Sequence, residues 1–431
     1  MDFIAYQTPI FYLIQPLWRD EAFSVLLSSN SIVDIIKLTA SDFNPPFYYL
    51  LLHLWMQFFG SSEIAVRSLS FIFHAILVYF VAHFFEKNYK FSKWKINSLI
   101  VLILLNPMLL YFAFEARMYS LLTLLSFLAL YFLTEKKFKW FTLISVLGIY
   151  THYYFGFVLF SLGVYVFFRK REILNKFLEK TLFVFLLFLP WGIIVINQLR
   201  NAGSTWFYPV DLNLAVSLLG SLYLGFEGTP RTLWNFAQLL SFLLAVYIIY
   251  YLLKVKKSRK EKDLAFVYLL SFSIPLILVA GISFFKRIFV LRYVIFTIPP
   301  LVLLYFLSLS SMKKNILSYF FLFLNIIFLI CFNLYSVKYH RKVDFKKVVF
   351  EINLDSKEDS LIVGKTPLSF FELSYYSKDS SSVFLYNPKN QELPSYVGKV
   401  LIPRKKWIND LSYGKIIYLV ADDGTFIKIQ N

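Results

Sequence analysis

The sequence predicts an all-α polytopic membrane domain followed by a small α/β domain. Hydrophobic residues make up 58% of the 431-residue chain, several apolar runs are long enough to cross a bilayer, and basic residues are concentrated in alternate linkers. A hydrocarbon core of roughly 30 Å requires about 20 apolar residues per helix, so these runs are spans rather than buried core helices. The net charge of +18 does not indicate nucleic-acid binding, because the basic residues form short clusters instead of one continuous face.

The apolar runs predict a polytopic membrane protein with about 10 to 11 transmembrane helices. The fourth and fifth runs are short and meet at Thr151 to Phe155, which predicts a tight turn near one membrane face. Residues 3–17 are also apolar but contain Pro9 and Pro16, so they predict either a shortened first helix or a truncated chain start. The ten clear runs are 65–85, 96–114, 118–134, 141–151, 155–168, 181–197, 236–253, 264–285, 293–310 and 316–334.

The linkers between these runs alternate in charge. One set of five holds twenty basic residues, whereas the opposite set holds eight. Cytoplasmic loops carry the excess of Lys and Arg in membrane proteins, so the first set predicts the cytoplasmic face of a plasma-membrane protein. That set comprises residues 87–95, 136–139, 169–180, 254–262 and Lys313–Lys314, while 18–64, 115–117, 152–154, 198–235 (with Arg200 and Arg231) and 286–292 are predicted outside.

Residues 336–431 are predicted to form an extracytoplasmic α/β domain that follows a transmembrane domain of residues 1–335. From residue 344 onward, charged and polar residues return to soluble proportions, and short apolar runs are separated by turn signals. Asp422-Asp423-Gly424 is typical of a hairpin turn. Strands are predicted at 361–364, 383–386, 400–402 and 416–420, and helices at 344–353 and 367–377.

The first outside stretch carries adjacent carboxylates, Asp20 and Glu21, within Trp18-Arg19-Asp20-Glu21-Ala22-Phe23-Ser24. Carboxylates at a membrane interface are costly to desolvate unless they are paired or used. Two interpretations stay open: the end of a solvated loop, or a general base that deprotonates an acceptor hydroxyl. Farther along, Glu63 and Arg67 are four residues apart and predict an i,i+4 ion pair.

Other polar residues on the predicted outer side extend the candidate site. His53 is interpreted as a packing or hydrogen-bonding residue rather than a metal ligand, because no other His or Cys lies at ligand spacing. Glu115 and Arg117 lie in a short turn and are either a structural pair or part of a pocket. The turn Thr151-His152-Tyr153-Tyr154 either binds a sugar or belongs to the interfacial aromatic belt. Lys286, Arg287 and Arg292 oppose the charge trend and form a candidate site for a lipid phosphate.

Five motifs in this order resemble those of bacterial and archaeal C-type glycosyltransferases, relatives of the protein O-mannosyltransferases and the lipid A aminoarabinose transferase. The resemblance is dense over 18–156, while Leu189-Pro190-Trp191 and Arg292-Tyr293 ahead of Pro299-Pro300 also fit. The motifs are Trp-Arg-Asp-Glu-Ala (18–22), Asn-Pro-Pro-Phe-Tyr-Tyr-Leu-Leu-Leu-His-Leu-Trp (44–55), Ser-Glu-Ile-Ala-Val-Arg (62–67), Glu-Ala-Arg-Met-Tyr-Ser (115–120) and Thr-His-Tyr-Tyr (151–154).

This resemblance implies transfer of a hexosyl or pentosyl group from a polyprenyl-phosphate donor to a hydroxyl of a lipid, glycan or protein on the outer face. It implies an inverting reaction with Asp20 as general base and Glu21 beside it, and with Arg292 on the donor phosphate. The first span is shorter than in the family, and Asn44 stands where many relatives have His or Lys. Some relatives bind a divalent cation, a question that the acidic loops leave open. The substrate-binding residues expected on this basis are Asn44, His53, Arg67, Glu115, Arg117, Tyr119, His152, Tyr153, Arg287, Arg292 and Tyr293.

Two other classes share these features. A transporter or flippase of lipid-linked sugars would have internal repeats, broken helices at the midplane and ionisable residues within spans. No clear repeat is present, and the unusual charges lie at loop ends. A polymerase or ligase of lipid-linked glycans would carry one very long, Arg-rich outer loop, whereas 198–235 contains only Arg200 and Arg231.

Overall fold

The computed structural model describes most of the chain. Arg231, Lys257, Lys313 and Lys314, which contribute to the linker charges counted above, lie outside the described residues. The described residues are 2–201, 207, 210–225, 233–254, 256, 258–312, 315–356, 360–411 and 416–430.

The chain divides into two compact units. We call the first the helical unit; it comprises Met1–Tyr12, Ser70–Pro190 and Phe207–His340. The second, the mixed unit, comprises Leu13–Leu69, Trp191–Trp206 and Arg341–Asn431. The segment predicted as a C-terminal domain thus belongs to one unit with the segment that carries the Asp-Glu motif.

Helices dominate the described residues before 356. The N-terminal apolar segment forms two short helices, α1 (Asp2–Gln7) and α2 (Phe11–Ile14). They are followed by α3 (Arg19–Ser28), α4 (Ile32–Ser41), α5 (Phe47–Phe59), α6 (Glu63–Asn88), α7 (Lys93–Leu104), α8 (Pro107–Ala113), α9 (Tyr119–Thr134), α10 (Phe138–Ile149), α11 (Phe155–Arg169), α12 (Leu174–Asn201), α13 (Leu212–Leu224), α14 (Trp234–Lys254), α15 (Arg259–Ser283), the 3-10 helix Leu291–Thr297, α16 (Ile298–Ser310), α17 (Asn315–Ser336) and α18 (Phe345–Asp355).

The prediction of a polytopic helical membrane protein is confirmed. Six helical segments of the described chain are long and apolar enough to cross a membrane, and a bent pair of helices makes up to seven. The predicted spans 118–134, 141–151 and 155–168 correspond to the shorter apolar helices α9, α10 and α11. The six long segments are Glu63–Asn88, Arg171–Arg200, Trp234–Lys254, Arg259–Ser283, Leu291–Ser310 and Asn315–Tyr339.

The predicted span 96–114 is broken between α7 and α8, which meet at 60°. Asn106 precedes Pro107, and proline disfavours the helical conformation of the residue before it. Asn106 instead caps α8: its side chain accepts from the amide of Leu109 and donates to the carbonyl oxygen of Tyr223 at 3.1 Å. The Leu109 amide freed by the break is therefore satisfied by Asn106, and the freed carbonyl oxygen of Leu105 accepts from Asn333 Nδ2 at 2.8 Å.

One helix forms the centre of the helical unit. The segment Leu291–Ser310 is 94% buried, whereas the other five long segments are buried over less than half of their apolar length. Those five present apolar surface outward, as lipid-facing helices do. The 3-10 helix that begins this central segment carries Arg292 and Tyr293, so both residues are placed on the most enclosed element of the unit.

The C-terminal residues form a five-stranded sheet in the order β3-β2-β1-β4-β5. Four strands are parallel, and β5 pairs antiparallel with β4 through the predicted turn, where Gly424 has φ +81°. Val363, Ile408 and Ile417 form its apolar core. The elements are β1 (Leu361–Gly364), helix α19 (Pro367–Tyr376), β2 (Val383–Tyr386), β3 (Trp407–Ile408), β4 (Ile417–Val420) and β5 (Phe426–Ile429).

The predicted strand 400–402 is wrong. Lys399–Leu401 is a 3-10 helix between Gly398, which adopts a left-handed φ of +72°, and Pro403. A Cβ on Gly398 would approach the ring of Phe23 to 2.7 Å, so this glycine is required by packing as well as by conformation. The predicted helices 344–353 and 367–377 are confirmed by α18 and α19.

Candidate active site

The Asp-Glu motif lies at the start of helix α3. Trp18 is the N-cap, and Asp20 and Glu21 occupy the first turn. The Glu21 carboxylate accepts a hydrogen bond from the amide of Trp18 at 3.4 Å. Negative charge is favourable at this end of a helix because its first amides lack intrahelical partners. The motif is therefore a helix start and not a solvated loop end.

Glu21 belongs to a buried ion cluster in the mixed unit. Arg67 Nε and Nη2 donate to Glu21 Oε1 and Oε2 at 2.8 and 2.6 Å, which is a bidentate contact. Lys342 Nζ lies 2.7 Å from Oε2. The side chains of Glu21 and Arg67 are both 0% exposed. Burial raises the pKa of Glu21, but the charges and hydrogen bonds of Arg67 and Lys342 outweigh this effect and lower it to about 2.

Arg67 also fixes the chain that leads into α3. Nη1 donates to the carbonyl oxygens of Leu13 and Gln15, and Nη2 donates to that of Pro16 at 3.0 Å. Together with the two contacts to Glu21, these bonds use the five N–H donors of a guanidinium group. Arg67 is thus a structural tie between helix α6 and the segment before α3.

The i,i+4 pair predicted between Glu63 and Arg67 is replaced by two longer-range pairs. Arg67 binds Glu21, and Glu63 Oε1 lies 3.2 Å from both Lys346 Nζ and the hydroxyl of Tyr376. Glu63 is the first residue of α6, and the enclosed Arg67 lies one turn later. The two side chains therefore contact different parts of the mixed unit.

Asp20 differs from its neighbour. Its side chain is 26% exposed, and its Oδ1 lies 3.8 Å from Arg19 Nε. The backbone oxygen of Asp20 accepts from the Ser24 hydroxyl, within α3. Of the two adjacent carboxylates, one is enclosed by cations and the other reaches the surface of the mixed unit, so only Asp20 is accessible to a substrate.

Lys342 and Glu372 are site residues that sequence reasoning missed. Lys342 lies 5.5 Å over the Trp18 ring, and Arg19 lies 5.1 Å over the same ring. Glu372, on α19, accepts a hydrogen bond from the Arg19 amide. Burial raises the pKa of Glu372 to about 8, although this hydrogen bond and the Arg19 charge oppose the shift. The only sequence signal for Glu372 is that it is the single carboxylate in a helix with no other charged residue.

Asn44 and His53 lie on either side of the start of helix α5. Asn44 Nδ2 donates to Asp42 Oδ2 at 3.2 Å. His53 Nδ1 lies 2.8 Å from the carbonyl oxygen of Ser28, and its Nε2 lies 2.8 Å from Gln57 Nε2. His53 thus connects α3 and α5 by a hydrogen bond, and its expected role in substrate binding stays a prediction.

The helical unit holds the other predicted residues, centred on Tyr119 at the start of α9. The guanidinium groups of Arg117 and Arg292 lie 5.9 and 6.0 Å from the Tyr119 ring centroid. Arg292 is also 5.9 Å from the Tyr293 ring. Both arginines are only 7% exposed. We call Arg117, Tyr119, His152, Arg292 and Tyr293 the arginine–aromatic cluster.

His152 adds a neutral ring to this cluster. Its ring centroid lies 5.2 Å from that of Tyr293 and 6.5 Å from that of Tyr119. Burial, and then the charge of Arg117, lower the pKa of His152 to about 3, so the imidazole is uncharged at neutral pH. Nδ1 accepts from the amide of Tyr154 at 3.2 Å, which leaves the ring proton on Nε2.

The remaining predicted residues lie near this cluster in sequence but differ in environment. Glu115 is 1% exposed and its backbone oxygen accepts from the Arg117 amide at 2.8 Å. Tyr153 is half-buried and its ring lies 6.4 Å from that of Phe188. Arg287 and Lys286 are exposed in the segment after α15. The structure thus encloses Arg292 and leaves the other two cations of that group at the surface.

A metal-binding arrangement is not evident in the described part of the chain. No group of three or more His, Cys, Asp or Glu side chains there is placed to hold an ion. Binding of a divalent cation, which occurs in some of the relatives that the sequence resembles, therefore stays a prediction.

The fold and its helices define a multi-pass membrane protein with the architecture of a C-type glycosyltransferase. Two crystal structures of ArnT from Cupriavidus metallidurans share it. The apo structure has a TM-score of 0.61 and 11% sequence identity, and the alignment covers 96% of this chain and 90% of that chain. The structure bound to undecaprenyl phosphate has a TM-score of 0.62 and 12% identity, with 95% and 90% coverage.

At this level of identity the similarity establishes a common fold over nearly the whole chain. ArnT is the lipid A aminoarabinose transferase, a C-type glycosyltransferase, and the fold expected from the sequence motifs is therefore the fold observed. No protein-family model and no curated protein matches the sequence.

Proposed function

We propose that this protein is a membrane glycosyltransferase that uses a polyprenyl-phosphate-linked sugar. The observation that carries the proposal is the whole-chain similarity to ArnT, one structure of which is bound to undecaprenyl phosphate. The acceptor is a hydroxyl of a lipid, glycan or protein, and the transferred group is a hexosyl or pentosyl unit. The alternating linker charges support a reaction on the outer face of the inner membrane.

Asp20 is the proposed general base. In the reaction, the acceptor oxygen bonds to the anomeric carbon while the bond from that carbon to the donor phosphate oxygen breaks. The bonding pair leaves with the polyprenyl phosphate, and the hydroxyl proton moves to the Asp20 carboxylate. A single displacement of this kind inverts the anomeric centre. The partial exposure of Asp20, beside the enclosed Glu21, supports this assignment.

Glu21 and Arg67 are proposed as positioning residues rather than as a catalytic group and a substrate ligand. The low pKa of Glu21 and its complete burial keep its carboxylate charged and away from an acceptor. The five donors of Arg67 are engaged by Glu21 and the backbone. Together these two residues fix the direction in which α3 begins, and hence the position of Asp20.

Arg292 is the proposed ligand of the donor phosphate, with Arg117 beside it. Guanidinium groups suit phosphate because they donate paired N–H groups to its oxygens. An enclosed site strengthens that interaction relative to water and stabilises the charge that develops on the leaving group. Tyr119 and Tyr293 supply rings that pack against the cations and hold them in place, and the His152 ring packs against Tyr293.

The test uses purified protein in lipid nanodiscs with a panel of polyprenyl-phosphate sugars and membrane extracts as acceptor. Mass spectrometry identifies the product, and NMR gives its anomeric configuration. We expect Asp20→Asn to abolish transfer without lowering the melting temperature, since the side chain is partly exposed. Asp34→Asn, an exposed carboxylate on α4, is the matched control and should remain active. Full transfer by Asp20→Asn would remove this residue as the base.

A transporter of lipid-linked sugars is the second candidate, favoured by the 60° break between α7 and α8, because transporters place broken helices at their binding sites. Movement of a fluorescent polyprenyl-phosphate sugar across proteoliposomes, with no new glycosidic bond in any product, would favour this alternative. A new bond without transport would favour the transferase.

A further inference from the structure

A cavity of about 550 Å³ lies in the helical unit where three helices end or begin. It is lined by the end of α11, the end of α14, Lys256, and the first turns of α15. These ends belong to the basic linkers that the charge alternation assigns to the cytoplasmic face. The cavity is thus separate from the arginine–aromatic cluster, whose turns belong to the opposite set of linkers.

Four cationic side chains line the cavity: Arg169, Lys254, Lys256 and Lys262. Of the acidic groups close by, Asp263 lies 2.8 Å from Lys170 and 3.9 Å from Arg169, so its charge is shared between two cations. The Glu261 carboxylate caps the start of α15, where it accepts from the Ser258 amide at 2.8 Å. The cavity therefore carries a net positive charge.

The rest of the described lining is apolar. Its residues are Leu252, Leu253, Ala265 and Phe266, and Arg169 lies 5.0 Å over the Phe266 ring. Leu253 is 74% exposed on the outer face of α14 and is continuous with the exposed Ile249 one turn earlier. The apolar wall thus leads from the cations onto the surface that faces lipid.

This combination fits an amphiphilic anion and not a small soluble one. A cavity of this volume is in the range of small-molecule sites, far larger than inorganic phosphate requires. Basic pockets between transmembrane helices at the cytoplasmic side suit phosphate-bearing lipid head groups. We propose that this cavity binds the phosphate head group of an anionic diacyl phospholipid from the cytoplasmic leaflet, with its acyl chains along Leu253 and Ile249.

The test measures binding of phosphatidylglycerol to the purified full-length protein by native mass spectrometry, with phosphatidylcholine as the zwitterionic comparison. The triple substitution K254Q/K256Q/K262Q should weaken phosphatidylglycerol binding at least tenfold and leave phosphatidylcholine unchanged. The matched control is K136Q/K137Q/K139Q, which removes the same charge from another basic linker and should change binding less than twofold. Equal losses in the two triple variants would show a diffuse charge effect and overturn the site.

Two further measurements complete the test. Glycerol 3-phosphate in excess should leave phosphatidylglycerol bound, because it lacks acyl chains; displacement at millimolar concentration would indicate a site for soluble phosphates and overturn the lipid assignment. A photoactivatable phosphatidylglycerol should label residues 249–266. Labelling spread evenly over all lipid-facing helices would contradict the proposal even if the triple variant were misfolded.

Discussion

Removal of Arg67 tests the ion cluster of the mixed unit most directly. Arg67→Met leaves Glu21, which is 0% exposed, with Lys342 as its remaining ionic partner, and takes a donor from the carbonyl oxygens of Leu13, Gln15 and Pro16. Loss of one partner from a buried ion pair costs about 3 to 5 kcal/mol. Because Lys342 is retained, the cost should lie near the lower end of this range. The lost hydrogen bonds to the three carbonyl oxygens add roughly 1 kcal/mol. We expect a loss of about 4 kcal/mol.

The lowered pKa of Glu21 gives a similar value for the stability that the ion cluster contributes. A fall from 4.5 to about 2 corresponds to about 3 kcal/mol of stability at neutral pH. Because the folded-state pKa lies below the unfolded one, this contribution is present above pH 4.5 and is lost as the pH falls toward 2. The wild-type protein should lose stability over this acid range, and the Arg67→Met variant should lose less, because its Glu21 is already less stabilised.

Thermal unfolding in detergent, followed by tryptophan fluorescence, measures the effect. A loss of about 4 kcal/mol corresponds to a fall in melting temperature of roughly 10 °C. Lys346→Met is the matched control: Lys346 pairs with Glu63, but its side chain is 65% exposed, so its removal should cost about 1 kcal/mol or less. Equal shifts for the two variants would refute the view that the buried cluster fixes the start of α3.

Three other substitutions have defined outcomes. Arg292→Ala should weaken donor binding by about 1.5 to 3 kcal/mol, measured by calorimetry with a polyprenyl phosphate; unchanged affinity would place the phosphate elsewhere. The pKa of Glu372 is raised to about 8, so wild-type stability should fall as the pH rises from about 4.5 to 8. Glu372→Gln should flatten this dependence of the melting temperature on pH. An unchanged dependence would mean that other groups cause it. Gly220→Ala should lower the melting temperature because its Cβ would meet the Ala237 carbonyl oxygen at 2.0 Å, whereas Gly192→Ala, with open space, should not; equal effects would contradict close packing of α13 on α14.

The helical fold could be predicted because hydropathy and linker charge report directly on the membrane environment. Spans such as 236–253 and 316–334 correspond to α14 and α17 within a few residues. The break in the span 96–114 was missed because its apolar residues continue through Asn106. That asparagine is satisfied by Tyr223, a partner more than one hundred positions away that no local pattern reveals.

The candidate site could be predicted in composition but not in its pairings. The motif that contains Asp20 and Glu21 was found, yet the two carboxylates were indistinguishable in sequence. Their difference arises from Arg67 and Lys342, which stand 46 and 321 residues after Glu21. Lys342 follows the last span, where a lysine is equally expected as a loop charge. The i,i+4 rule favours Glu63 as the partner of Arg67, because this rule describes only pairs of side chains on the same helix.

The long sequence separation within the ion cluster has a consequence for biosynthesis. Glu21 and Arg67 emerge from the ribosome close together, so the carboxylate acquires a cationic partner early. Lys342 follows only after most of the helices have been made, on the order of tens of seconds later at ordinary rates of translation. The contact of Glu21 with its second cation can therefore form only late in synthesis. Chains that stop short of residue 342 would hold the buried Glu21 carboxylate with Arg67 but without Lys342.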